Sequence, residues 1–470
     1  MVTFGRRVVV PVQGDVYAQP LYAGNVTING SGHNLVIVAT QHDQVYGVDA
    51  DSGQVLWHRD FLNPAGGVTS IPNEDVNCDD IVPEIGITGT PVIDPASQTV
   101  YVVVRTKETP QGGAAQYFQR LYALRLPTGQ DRISPTVIST PPDPSGHFGS
   151  AKFDPLLNNQ RSALLLNQGQ VYVAWASQCD MGRYQGWLMA FDATTLQLTA
   201  AWTPSPSGDF GGIWMGGSGP ASDESGDIYL TIGNGGTDVM TGGANYGDSA
   251  VRLRNEGTTV SALDYFTPFD WMTLYSEDYD LGSNGPVLLP NQPGSTHQRL
   301  LIAIGKAGTA YLLDRDSLGH WHEGNDNQIV ESFSSGGDLS FSTPAFFNNT
   351  LFISLPGAPV RAFAYDPGSQ MVDPTPTSTT GSITIGYPGS SPAVSANNGQ
   401  NGILWVLAGT RDNAILRAFD ASDLNVELYD SEMSPDRDHA GGSVKFTVPT
   451  VADGKVFVGA HNELDIYGLL

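Results

Sequence analysis

The stretch GVDADSGQVLW, Gly47 to Trp57, closes one unit of a pattern that returns along nearly the whole chain. A strand of small and apolar residues runs into an Asp- and Gly-bearing turn, and a second strand then ends on Trp. Asp and Gly suit a tight reversal because Asp can bind its own turn and Gly tolerates left-handed backbone. Upstream lie two more strands of the same unit, QPLY from Gln19 and NLVIVAT from Asn34. The next unit repeats the order with TPVID from Thr90, TVYVVV from Thr99 and RLYALRLPTG from Arg120.

Later units keep the plan, with looser endings at Trp202 and Trp321. The last has only three strands: VPTV, KVFVG and ELDIYGLL, which stops at Leu470. A strand without a unit of its own, RRVVVPV from Arg6 to Val12, stands at the other end of the chain. Eight four-stranded units with alternating apolar and polar residues predict an all-β fold, an eight-bladed β-propeller. Residues 1–470 are expected to form a single domain, with strand 6–12 completing the final blade at 446–470 and removing two free sheet edges.

Composition agrees with this reading. The 470 residues include 55 Gly and 31 Pro, as short strands and tight turns require, and no window has the periodicity of a long amphipathic helix. A net charge of −26 repels nucleic acid and anionic membranes. There is no apolar run long enough for a membrane span, and the start of the chain lacks a charged segment followed by an apolar core. The expectation is a secreted monomer whose signal has been removed. Sequons at Asn25, Asn29 and Asn348 fit that compartment, as does the even cysteine count, Cys78 and Cys179.

The unit ending at Trp57 resembles the repeat of the quinoprotein alcohol dehydrogenase-like superfamily, roughly Ala-Leu-Asp-Ala-x-Thr-Gly-x-x-x-Trp. The resemblance extends over nearly the whole chain and implies the propeller fold; the superfamily holds dehydrogenases, assembly scaffolds and binding proteins, so it does not fix an activity. Its dehydrogenases typically carry an adjacent Cys-Cys disulfide over pyrroloquinoline quinone, and some add a CxxCH haem module. Here the two cysteines are far apart in sequence and no third exists. Quinone binding is therefore possible but not the favoured expectation, with Trp214 as ring floor and Asp280 as calcium ligand or base.

In a four-stranded meander, the loop approaching the inner strand and the loop between strands two and three share a face. This rule gathers His42, Glu84, Lys107, Arg161, Asp180, Trp214, Asn234, Asp280, Lys306, Tyr387, Arg411, His439 and His461 on one face. It also places Cys78 and Cys179 there, in loops of neighbouring blades, and predicts a disulfide between them. The DADSG-type turns, His33, His297 and the sequons fall on the other face.

The candidate chemistry follows from those residue types. Arg161 and Lys306 could hold a carboxylate, and Glu84, His439 and His461 could move a proton. His42, Lys107, Trp214, Asn234, Asp280, Tyr387 and Arg411 complete the expected ligand-binding set. Trp214, in GGIWMGG, is either a platform for a sugar or quinone ring or a packing residue between blades. His42, His439 and His461 adjoin across the closure, either as metal ligands or as titrating groups in a polar funnel. The acidic loops Asn73–Glu84 and Ser276–Asp280 could contribute to a calcium site or be solvated. The leading expectation is a funnel that binds a small molecule or a carbohydrate, with residues suited to hydrolysis or elimination. A calcium- and quinone-dependent dehydrogenase and a non-catalytic interaction module are the alternatives.

Overall fold

Eight antiparallel sheets succeed one another along the chain in the computed structural model, which describes residues 3–410 and 413–470. Arg411, expected among the ligand-binding residues, lies outside them. The first blade runs Leu21–Ile28, Ser31–Ala39, Gln44–Asp49 and Val55–Asp60, each strand paired with the next. Its central strands are buried on both sides because a blade packs between two others. Leu35, Ile37 and Val45 meet Val100, Val102 and Leu124 of the second blade, whereas Val36, Val38 and Val48 meet Phe457, Leu464 and Ile466 of the eighth.

Trp57 shows what the end of the repeat is for. Its ring is buried and its indole N–H donates to the Leu126 carbonyl of the next blade at 2.7 Å. Blade five departs from the pattern. The segment ending at Trp321 does not form its outer strand; Gly319 and His320 turn through left-handed backbone, and the outer strand comes later, at Glu331–Ser334.

The N-terminal strand extends further than the sequence reading, from Phe4 to Asp15, and pairs with the end of the chain from Phe4 opposite Leu469 to Asp15 opposite His461. The span Lys455–Leu469 turns back at Asn462, so Gly468 lies beside Gly454 and Lys455. With Thr450–Ala452 this gives the last blade its inner strands and leaves its outer position to the N-terminus. The Arg6 guanidinium seals the closure on buried Asp465 at 3.1 Å.

The cysteine pair is joined: Cys78 and Cys179 form a disulfide with a Cα separation of 5.9 Å. It ties the loop before blade two to the loop between the second and third strands of blade three. A short ribbon, Ile71–Pro72 with Glu84–Ile85, stiffens the first of these loops. No helix among the described residues is long and apolar enough to cross a membrane.

Candidate functional site in the axial pocket

The approach loops of blades three to eight converge at the axis, each bringing one side chain to a common pocket of about 160 Å³. Arg161 comes from blade three, Trp214 from blade four, Asp280 from blade five, Phe341 from blade six, Tyr387 from blade seven and Phe446 from blade eight. The disulfide loop adds Cys179 and Asp180, and blade five adds Lys306. A second cavity, of about 350 Å³, shares Asp80 and Tyr387 with the first and continues it towards the closing blade.

Arg161 is the least expected group to find so enclosed. It is 6% exposed, its guanidinium sits 3.8 Å above the Phe446 ring, and its Nη2 is buried with no hydrogen-bond partner among the described residues. Burial pulls its pKa down, opposed by the charge of Asp80. A buried cation held on a ring, with no direct ion pair among the described residues, is costly unless a ligand completes it.

Trp214 lies on a glycine floor. A Cβ on Gly212 would come within 2.6 Å of the indole nitrogen, and one on Gly233 within 2.9 Å of the ring, so only glycine at both positions lets the indole lie there. Beside it, Asp280 accepts from the Asn234 backbone N–H at 2.7 Å and from the Lys306 ammonium at 2.5 Å. Burial raises Asp280 to about 6 against the pull of Lys306. Lys306 also reaches Asp278 at 2.9 Å; burial lowers its pKa, but the attraction of Asp280 and Asp278 outweighs this and holds it above the usual value. The Asn234 Oδ1 is buried without a partner among the described residues, while its Nδ2 donates to Asp278. Asp248, fully buried behind Asp280, accepts from the Leu281 N–H and leaves Oδ2 unpaired; burial beside Asp280 pushes it well up.

Of the residues singled out in the sequence, Arg161, Asp180, Trp214, Asp280, Lys306 and Tyr387 line this pocket, and Asn234 braces it. Glu84, His42 and His461 line a different cavity at the closure. Lys107 is bound to Asp75 at 2.6 Å and clamps the acidic loop. His439 stands apart, following the short helix Pro435–Asp438 and facing Glu432 at 3.3 Å, because Arg437 and Asp438 hold this segment against Arg6. Two of the three histidines therefore line one cavity. Many carboxylates of the acidic loops are engaged locally: Asp75 by Lys107, Asp79 by Asn73, Asp80 by Lys445. No group of three or more His, Cys, Asp and Glu is arranged to hold a metal ion among the described residues.

Phe341, Phe446, Lys445 and Asp248 carry no signal in the sequence that points to the site. Phe446 and Phe341 follow no motif, and only the loop geometry brings them to the axis.

The eight-bladed propeller fold is shared with solved structures of low sequence identity. The chain is similar to a quinohemoprotein alcohol dehydrogenase from Comamonas testosteroni, with 15% identity, a TM-score of 0.61 and coverage of 99% of this chain and 76% of that one. A quinohemoprotein alcohol dehydrogenase from Pseudomonas putida gives 14%, 0.60, 99% and 76%. BamB from Moraxella catarrhalis gives 11%, 0.55, 99% and 100%. No family model matches the chain, and no curated protein does.

Proposed function

We propose that the axial pocket holds a planar, carboxylate-bearing quinone of the pyrroloquinoline quinone type, and that the protein is an extracellular dehydrogenase of small alcohols or sugars built around it. The observation that carries this reading is the buried, unpaired Nη2 of Arg161, in the same pocket as the Trp214 indole and the Cys78–Cys179 disulfide. The cysteines are distant in sequence, but the fold brings their disulfide to the wall of the pocket that has the aromatic floor.

The residues fit such a group. Arg161 would take a carboxylate by charge-assisted hydrogen bonds, and Trp214 would offer a flat face. Asn234 Oδ1 and Asp280 could face a calcium ion; since calcium wants six to eight oxygens, most would come from the cofactor and water. When bound, a quinone supplies two-electron oxidation chemistry that no side chain here provides. Asp280, ionised at neutral pH and beside Lys306, is the group placed to accept a proton from a substrate hydroxyl. The disulfide and the similarity to two quinohemoprotein dehydrogenases support the reading and the oxidising compartment.

The test is reconstitution with pyrroloquinoline quinone and calcium. The expected result is quinone absorbance retained through gel filtration, lost in Arg161→Ala, and dye reduction with an alcohol or aldose. Absence of both retention and dye reduction would end the proposal. A second reading keeps the pocket without redox chemistry: the same Arg161 holds the carboxylate of a small molecule or an acidic sugar, and Asp280 acts in hydrolysis or elimination. It is favoured if such a ligand raises the melting temperature while the quinone does not.

A further inference from the structure

We propose that the cavity at the closing seam binds a divalent transition-metal ion through the Nε2 atoms of His42 and His461. The cavity, of about 270 Å³, is lined by Asp15, His42, Glu84, His461 and Asn462 and adjoins the larger cavity at the closure, with which it shares Asp15 and His461. His42 belongs to the first blade and His461 to the hairpin of the last, so the site bridges the two ends of the ring.

Each ring is held in the same way. His42 Nδ1 meets Glu84 at 2.9 Å, and Glu84 is fixed in turn by the Ser70 hydroxyl. His461 Nδ1 meets Asp15. A carboxylate on Nδ1 keeps the ring proton there and leaves the lone pair on Nε2, which is how metal-binding histidines are usually prepared. Neither Nε2 has a hydrogen bond among the described residues. The two dyads are also mechanically coupled: Gly14, next to Asp15, lies against the backbone and Cβ of His42 and donates its N–H to Asn462 Oδ1 at 2.9 Å.

Comparison with two histidine dyads of the opposite face separates site from scaffold. His33 with Asp49 and His297 with Asp314 make the same Nδ1 contact, at 2.8 and 2.7 Å, but on the opposite face and in different blades. Each of those is solitary and braces a turn. At the seam two such dyads share one cavity. Two imidazoles suit zinc, copper or nickel, and water would complete the coordination. The chain's strong negative charge favours cation accumulation. A bound ion would staple blade one to the strand pair that closes the ring.

The experiment titrates Zn²⁺ alone into the full chain after chelator treatment, followed by calorimetry. One equivalent should bind, with a rise in melting temperature that the chelator reverses. His42→Ala and His461→Ala should each weaken binding more than tenfold, and Glu84→Gln by about 10- to 100-fold. His33→Ala and His297→Ala should leave it unchanged. X-ray absorption of the zinc-loaded wild type should count two imidazole nitrogens, a readout independent of whether the variants fold. No saturable binding, binding unaffected by both seam variants, or a first shell without imidazole would overturn the proposal.

Discussion

The two faces of the propeller use aspartate in opposite ways. On the face of the repeated turns, Asp192 accepts from the N–H groups of Thr194 and Thr195 at 3.0 and 2.8 Å, and Asp366 and Asp420 bind their own turns likewise. The Thr195 N–H for Asp192, the Gly368 N–H for Asp366 and the Ser422 hydroxyl for Asp420 lead in holding these carboxyls below their usual range. On the axial face, Asp280 and Asp180 are raised by burial, and their partners are irregular. Asp280 draws on Asn234 of blade four and Lys306 of blade five. A carboxylate that recurs and is satisfied within three residues builds the fold. One that does not recur and depends on another blade marks the site.

The strongest test of this division is the covalent link on the axial face. Cys78 and Cys179 enclose 101 positions, and a loop of that length costs the unfolded chain about 4–5 kcal/mol of freedom when closed. Cys78→Ser with Cys179→Ser should lower stability in urea by that order and should also abolish ligand retention, since Cys179 lines the pocket. Loss of stability with undiminished retention would show that the disulfide serves the fold alone.

Arg161→Met should separate function from stability. The guanidinium is buried, and its removal relieves an unpaired Nη2, so the ligand-free melting temperature should hold or rise. Affinity for the quinone, or for a carboxylate ligand, should fall about a hundredfold, which corresponds to about 3 kcal/mol for a buried charge-assisted contact. A large drop in ligand-free melting temperature would make Arg161 a structural residue.

The same division explains what the sequence reveals. Blade number and closure were legible because Asp-Gly turns, alternating strands and the unmatched Arg6–Val12 segment are local signals repeated many times. Arg161, Trp214, Asp280 and Lys306 were legible as sharing a face, since strand order alone fixes which loops do. Phe446 and Phe341 were not, because an aromatic in a loop reads like any packing residue until Arg161 is found above one and Lys306 near the other, at 5.9 Å. His439 misled for a related reason: the connection Ser431 to Thr447 is long, and Arg437, Asp438 and Arg6 determine where it runs. Blade five's outer strand was misplaced because Trp321 imitates the repeat's ending while Gly319 and His320 break it.

Acid titration should distinguish Asp280 from Asp192 by sign. Folded Asp280 keeps its proton up to about 6, whereas the unfolded chain releases it near 3.8. The folded state binds more protons across that interval, so this group's contribution to stability falls as the pH rises through it. Asp280→Asn should remove that decline in ligand-free protein, measured as melting temperature between pH 4 and pH 7. Asp192 behaves oppositely. Its folded pKa is depressed, so its contribution is present above 3.8 and is lost as the pH falls through the lower folded value.

The smallest expected effect is therefore the cleanest control. Asp192→Ala removes the acceptor for two turn N–H groups and for the Thr195 hydroxyl, all near the surface and open to water. Water replaces most of what is lost, and the cost should be about 1 kcal/mol, as for a helix cap. Because Asp192 touches no residue of the axial pocket or the seam cavity, quinone retention and zinc affinity should both match wild type. The melting curve should shift slightly and lose part of its acid dependence. If Asp192→Ala altered ligand affinity as strongly as Arg161→Met, the two faces would not be independent, and the repeated turn would have to be counted as part of the site.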